Sequence, residues 1–238
     1  MTLKPETRTR LEGVSCATLT TALFKRGLRN TFLQDVHPLA PKGRNMVGPA
    51  FTLRYIPARE DLNTLAVFED PKHPQRHAVE TCPEGHVLIM DSRRDPRAAS
   101  AGDILVRRLM ARGVAGVVTD GGFRDSPTIA TLDIPAYHNR PSAPTNLIQH
   151  QAIEINGPIG CGGVAVFPGD IVVGDDEGVV IVPAAIADEV AAEAEQMTLF
   201  EDFVAGRVDA GQSIVGLYPP TNPASREAFE AWKRERDV

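Results

Sequence analysis

The alternation of apolar and polar positions divides the chain into a helical start, a strand-and-helix middle and a strand-rich final third. Residues 15 to 27, SCATLTTALFKRG, predict a short helix: Ser15 is placed to cap it, Leu19, Leu23 and Phe24 share a face, and Gly27 ends it. A stretch bearing proline and glycine leads into AFTLRYI (50 to 56), whose β-branched and aromatic residues predict a strand. Residues 61 to 80 are polar with only a weak helical pattern. HVLIMDS (86 to 92) is a compact apolar run that predicts a buried strand. In AGDILVRRLMARGVAGVVTDGG (101 to 122), Ile104, Leu105, Val106, Leu109 and Met110 supply helical i, i+4 pairs, and Gly113 stops that helix. VAGVVT then reads as a strand buried on both faces of a parallel sheet, and IPAYH (134 to 138) as another short strand.

Beyond residue 155 the pattern changes. Short β-branched runs alternate with turn pairs, Pro168-Gly169, Asp175-Asp176 and Glu177-Gly178, which predicts a β-meander up to Pro183. AAIADEVAAEAEQMTLFEDFVAG is strongly helical, with Gly206 as its expected stop. The tail, 219 to 238, has a charged, helix-prone end that carries the only tryptophan, Trp232. With no internal repeat and no low-complexity linker, one α/β domain over 1–238, with a β-rich core flanked by helices, is the expectation.

Composition narrows the function classes. The 238 residues are 42% hydrophobic and 24% charged, as in ordinary globular proteins, and the net charge of −6 lacks the basic footprint of a nucleic-acid binder. An anionic substrate would therefore need a local device, an arginine or a metal ion. The N-terminus has no apolar signal-like region and no run approaches the ~18 residues of a membrane span, so a cytoplasmic protein with no membrane partner is expected. Cys16, Cys82 and Cys161, odd in number and far apart, read as small buried thiols in reduced form.

The chemistry-bearing stretch is VVTDGGFRD, 117 to 125. A helix from Asp103 to Arg112 runs ~15 Å at ~1.5 Å per residue, and the strand to Thr119 returns ~20 Å at ~3.3 Å per residue. The helix start and the strand end therefore meet at one sheet edge, where α/β proteins collect ligands. Asp103 comes near Arg124 and Asp125, and the free amides around Gly102, Asp103, Ile104 and Leu105 suit a substrate carboxylate. Gly121 and Gly122 allow positive φ and close backbone approach. Two carboxylates offer hard oxygen ligands to Mg²⁺ or Mn²⁺. A 2-oxo acid chelated there would be polarised at its keto group, with a guanidinium to stabilise the enolate oxygen. On spacing alone, an ordinary surface turn at Arg124-Asp125 and a routine first-turn Asp103 explain the residues equally well.

Asp103, twenty intervening residues and Arg124-Asp125 resemble the D-X20-R-D signature of class II pyruvate aldolases, the 4-hydroxy-4-methyl-2-oxoglutarate / 4-carboxy-4-hydroxy-2-oxoadipate aldolases. These belong to the family of the regulator of ribonuclease activity A. GPAFTL (48 to 53), ARGVAGVVTDGGFRD (111 to 125) and CGGVAVFPGDIVVGDDEGVVIVP (161 to 183) resemble that family's blocks in the same order, and the resemblance spans roughly residues 12 to 195. It implies a swivelling β/β/α fold, a homotrimer or homohexamer, and a metal-dependent lyase that releases pyruvate from a 4-hydroxy-2-oxo acid and decarboxylates oxaloacetate. It further implies that Asp125 ligates the ion, Asp103 holds metal-bound water, Arg124 contacts the keto oxygen and the amides of 102 to 105 grip the carboxylate. Metal-bound water is the expected proton carrier. Thr128, and Thr20 with Thr21, stand where family aldolases often carry acidic residues, which leaves the native substrate open.

Two other functions remain as alternatives: a non-catalytic regulator that docks on ribonuclease E, and a sugar-acid lyase or hydratase using the same metal enolate. Further candidates have plainer readings. His73 and His77 have metal-pair spacing, but with Pro74 between them an exposed loop is expected. His138 is a candidate to line the pocket. PGD with GDDEG reads as hairpin turns rather than a calcium loop. Arg93, Arg94 and Arg97 are candidates for a second acid group on the substrate, with solvent exposure as the plain reading. Glu193 and Glu195, candidates to reach a neighbouring subunit's site, more simply form a solvated face.

Overall fold

The computed structural model describes residues 3 to 236. The apolar run predicted from Ala50 begins earlier and becomes the central strand, Met46–Pro57, buried along most of its length. One edge of it pairs in parallel with Val87–Asp91, which continues in parallel through Gly116–Thr119 to Ala136–His138. The other edge is shared between two antiparallel partners: Ile171–Gly174 along its first half and His150–Ile155 along its second, with the register shifting between Arg54 and Tyr55. His37–Pro38 and Val179–Val182 complete an eight-stranded sheet. This is the expected α/β architecture, a β-rich core flanked by helices.

Helices cover one side of the sheet over two apolar clusters, and the alternate residues of the same strands, among them Met46, Ala50, Ile89, Val118 and Val172, form a third on the other side. Phe51, Leu53 and Tyr55 pack with Leu88, Val106, Leu109 and Val117 under the helices Pro74–Thr81 and Asp103–Ala111. Val47, Val173 and Val180 pack with Leu19, Leu23, Val190 and Ala194 from the helices Cys16–Lys25 and Ala187–Asp209. The first of these helices is capped as expected, its Ser15 side chain accepting a hydrogen bond from the Thr18 N–H. Phe24, expected on the apolar face with Leu19 and Leu23, is instead 60% exposed.

Three further expectations are corrected. The final third is two hairpins in different sheets, not a meander: Ile159–Cys161 with Val164–Val166 stands apart, while Ile171–Gly174 with Val179–Val182 joins the main sheet. The long helix passes through Gly206 to Asp209, because its distal half has its own apolar support. Phe200, Phe203 and Val204 pack there against Leu217, Phe229 and Trp232, the last two from the helix Pro223–Arg236. That packing outweighs the ~1 kcal/mol that an interior glycine costs a helix. Finally, Pro74 does not prevent a helix. It occupies the first turn of Pro74–Thr81, where the missing N–H has no partner to lose, and His73 before it is buried rather than exposed.

Candidate active site

A small three-stranded parallel sheet positions the site. Ala99–Ala101, Gly122–Phe123 and Arg140–Pro141 lie side by side, with Ala101 opposite Phe123. The Arg124 N–H donates to the Ala101 carbonyl at 3.1 Å, so the two chains leave the sheet together. One continues through Gly102 into the helix Asp103–Ala111, and the other into Arg124 and Asp125. The chain therefore does bring Asp103, Arg124 and Asp125 to one edge, as the helix and strand lengths predict. The intervening turn uses Gly113 at φ 72°.

The contact is close. A Cβ placed on Gly102 would lie 2.8 Å from Arg124 Cγ and 3.1 Å from Asp125 Oδ2, so the arginine and the carboxylate stand directly over the helix N-terminus. No side chain caps that helix, which leaves the amides of Asp103, Ile104 and Leu105 without intrahelical acceptors. Arg124 and Asp125 are joined loosely, Nε to Oδ2 at 3.4 Å, and both are more than two-fifths exposed. Asp103 pairs with Arg107 one turn on, at 3.1 Å. Asp125 sits in the left-handed region at φ 56°, a conformation Asp tolerates better than most residues. It occupies the N-cap position of Ser126–Ala130, yet its carboxylate makes no capping bond and remains available to the cleft.

The glycines of the motif act differently from expectation. Neither Gly121 nor Gly122 has a positive φ; the left-handed turn falls on Asp125 instead. Both glycines are small because the backbone is crowded: a Cβ on Gly121 would lie 2.6 Å from Ser92 Cβ, and one on Gly122 2.5 Å from Ser142 Cβ. Behind them lies a buried polar network. Ser92, Ser100 and Thr119 hydroxyls are mutually within 2.6 to 3.1 Å. Asp120 accepts backbone N–H bonds from Ser92 at 2.7 Å and from Arg94 and Gly162 at 3.1 Å each. Burial pushes the Asp120 carboxyl up to about 6, against the downward pull of those three donors.

The cleft in front of these residues encloses about 420 Å³ and is lined by Gly102, Asp103, Ile104, Leu105, Arg124 and Asp125. Its remaining wall includes Leu65 and Phe68 from the 3-10 turn Leu65–Glu69, Gln75 and Arg76 from Pro74–Thr81, and Asn146. Leu65, Phe68, Gln75 and Arg76 were missed in the weak pattern of 61 to 80. The spacing of Gln75, Ala78, Val79 and Cys82 behind a first-turn proline was the available signal, and all four are buried.

Other candidates fall elsewhere. Arg93 donates to the Gln149 carbonyl at 2.8 Å, Arg94 pairs with Asp35 at 2.6 Å and Arg97 with Asp95 at 2.6 Å; none lines the cleft. His138 is buried behind the site, stacked on Phe123 at 5.7 Å, and burial pushes its imidazole down to about 4. Glu193 bonds Lys25 and Arg26, and Glu195 bonds Arg10 at 3.1 Å, on the helical flank. The three cysteines are buried and free. Among the described residues no helix is long and apolar enough to cross a membrane. Among them, too, no three His, Cys, Asp or Glu side chains cluster as a metal cage. An ion held here would rest on few protein carboxylates, with water and substrate oxygens completing its shell. That arrangement suits the hard, incompletely dehydrated Mg²⁺ class and not a closed zinc site.

The α/β fold thus places an uncapped helix N-terminus, an arginine and two carboxylates on one cleft, at the kind of sheet edge where α/β proteins collect ligands. The comparisons place it within a family. The RraA-like (Aldolase/RraA) family model matches residues 16–181, and the chain belongs to that family. A Halalkalibacterium halodurans protein named "Putative 4-hydroxy-4-methyl-2-oxoglutarate aldolase" is 31% identical over 63% of this chain and 66% of its own length. The chain thus spans just under two thirds of that relative. Streptomyces coelicolor RraAS2, described as an unusual member of the RNase ES inhibitor RraA protein family, superposes with a TM-score of 0.75 at 30% identity, over 85% of this chain and 97% of that one. A Pseudomonas syringae pv. tomato protein shares the fold, with a TM-score of 0.76 at 24% identity over 90% and 97% of the two chains.

Proposed function

We propose that this protein is a divalent-metal-dependent lyase that cleaves a 4-hydroxy-2-oxo acid to release pyruvate, and that it decarboxylates oxaloacetate at the same site. The observation that carries this reading is the convergence over Gly102: the open helix N-terminus, Arg124 and Asp125 within contact of one point. Relatives named as aldolases support the same class of activity.

In this reading the amides of Asp103, Ile104 and Leu105 receive the substrate carboxylate and fix its orientation. Asp125, its carboxylate free of the capping role, would hold Mg²⁺ or Mn²⁺ directly, and Asp103 would orient water beside it. When bound, the ion supplies Lewis-acid polarisation of the keto group. Arg124 faces the keto oxygen and stabilises the negative charge that develops there as the C3–C4 bond breaks. In an aldol substrate the electrons of that bond move toward the keto group while the 4-hydroxyl loses its proton and leaves as a carbonyl. In oxaloacetate the same bond releases CO₂. Among the described residues no histidine lines the cleft, and water is assigned as the proton carrier.

The test is pyruvate release from 4-hydroxy-4-methyl-2-oxoglutarate and from oxaloacetate. Activity should disappear with EDTA and return with added Mg²⁺ or Mn²⁺; turnover that persists through exhaustive chelation would sink the metal-dependent reading.

The likeness to RraAS2 favours a second reading, a regulator that docks on a ribonuclease E type enzyme. A binding assay with purified ribonuclease E, run beside the pyruvate assay, separates the two.

A further inference from the structure

The cleft is larger than a pyruvyl group needs. At roughly 30 Å³ per water-sized group, about 420 Å³ has room for many more heavy atoms than the 2-oxo acid end supplies. The wall away from the Asp103 helix is polar in a specific way. Arg76 lines it with its guanidinium 4.4 Å from the Phe68 ring centroid and has no ion-pair or hydrogen-bond partner among the described residues. Stacking on an aromatic face holds the planar fork in place while leaving its N–H edges free for a carboxylate. Its neighbour Gln75 is committed inward, donating to the Ser100 carbonyl at 2.6 Å, which pins the start of that helix to the strand that leads into Gly102. Asn146 lines the same wall and is only 4% exposed, yet its Nδ2 has no partner. A buried amide donor without an acceptor costs about 1–3 kcal/mol, which a ligand oxygen would relieve. Every other arginine considered for this role is engaged elsewhere.

We infer that Arg76, with Asn146, forms a second anion subsite that selects substrates carrying a carboxylate at the end remote from the 2-oxo acid. This rests on the 2-oxo acid reading of the Asp103/Arg124/Asp125 edge, and it makes Arg76 the residue that determines specificity. Phe68 orients the guanidinium, and Asn146 donates to the remaining carboxylate oxygen.

The experiment uses two unreactive 2-oxo acids that differ at the far end, 2-oxoglutarate and 2-oxobutyrate, titrated calorimetrically into the full chain with Mg²⁺ present. Wild type should bind 2-oxoglutarate about tenfold or more tightly than 2-oxobutyrate, the scale of one charge-assisted contact. Arg76→Gln should reduce that preference to under about threefold while holding the 2-oxobutyrate affinity within about twofold, which also shows that the variant is folded. Arg76→Lys should restore part of the preference, and Asn146→Asp should weaken 2-oxoglutarate alone. An unchanged preference in Arg76→Gln, equal affinities in wild type, or loss of both ligands in Arg76→Gln overturns the subsite. If wild type binds neither acid, the 2-oxo acid reading falls as well; if it binds both equally, only the subsite falls.

Discussion

Two groups of polar residues lie a few positions apart on the same segment and are treated in opposite ways. Asp120, fully buried, has three backbone donors on its carboxylate and stands beside a closed set of hydroxyls from Ser92, Ser100 and Thr119. Arg124 and Asp125, beyond Gly121 and Gly122, share one long contact and face an open cleft. Satisfied buried polar groups hold a structure in one arrangement, whereas charges left underused at a cleft are free to act on a ligand. The first set fixes the turn, and the second uses it.

Arg124→Ala should show the largest effect and should show it in activity only. Removing a donor aimed at developing oxyanion charge costs about 3–4 kcal/mol of barrier, or roughly 10²- to 10³-fold in kcat. The urea midpoint should barely move, because an exposed pair of this kind contributes well under about 1 kcal/mol. A large loss of stability together with a small loss of rate would invert the contrast between the two groups.

Asp120 should behave the opposite way. Asp120→Ala leaves three backbone N–H donors unpaired, two of them buried, and should cost about 3 kcal/mol of folding stability. The pH dependence has a definite sign. The folded-state value, raised to about 6, lies above the unfolded value near 4, so the group's contribution is fully present below about pH 4 and is lost as pH rises through 6. The stability difference between wild type and Asp120→Asn should therefore decline by up to about 3 kcal/mol between pH 4 and 6 and then level off. A flat difference across that window would show that the three donors, rather than burial, dominate this carboxylate.

The site edge was legible in the sequence because regular elements set it. A nine-residue helix, Asp103–Ala111, and the strand after it have fixed rises, so matching their lengths places Asp103 beside Arg124 without any tertiary information. The Arg76 wall was not legible. It depends on a 3-10 turn and a short helix whose position comes from Gln75 bonding Ser100, a contact between residues 25 apart that no periodicity encodes. The path of the long helix past Gly206 was hidden for a similar reason: Trp232 and Phe229 return from the chain's end to support it. The left-handed Asp125 was also hidden. Two glycines before it drew the positive φ to the wrong place, although crowding by Ser92 and Ser142 was their actual constraint.

The smallest and sharpest perturbation is Gly102→Ala. Gly102 has φ −120° and ψ 179°, ordinary extended backbone, so alanine meets no conformational penalty there. The added methyl would lie 2.8 Å from Arg124 Cγ and 3.1 Å from its Cδ. That side chain is about half exposed and can swing outward, so the fold should lose under about 1 kcal/mol. The same swing would move the guanidinium away from the position proposed for the keto oxygen, and the methyl would crowd the approach to the helix amides. A displacement of about 1 Å can cost on the order of 10²-fold in rate; a fall of about tenfold or more in kcat/KM, with an unchanged thermal midpoint, is therefore expected. Gly121→Ala provides the contrasting control. Its methyl would meet Ser92 Cβ at 2.6 Å inside the buried network, where nothing can swing away, so the loss there should appear first in stability. If Gly102→Ala instead keeps full activity, the arginine does not need its place over the helix N-terminus, and the proposed division between the two groups of residues no longer holds.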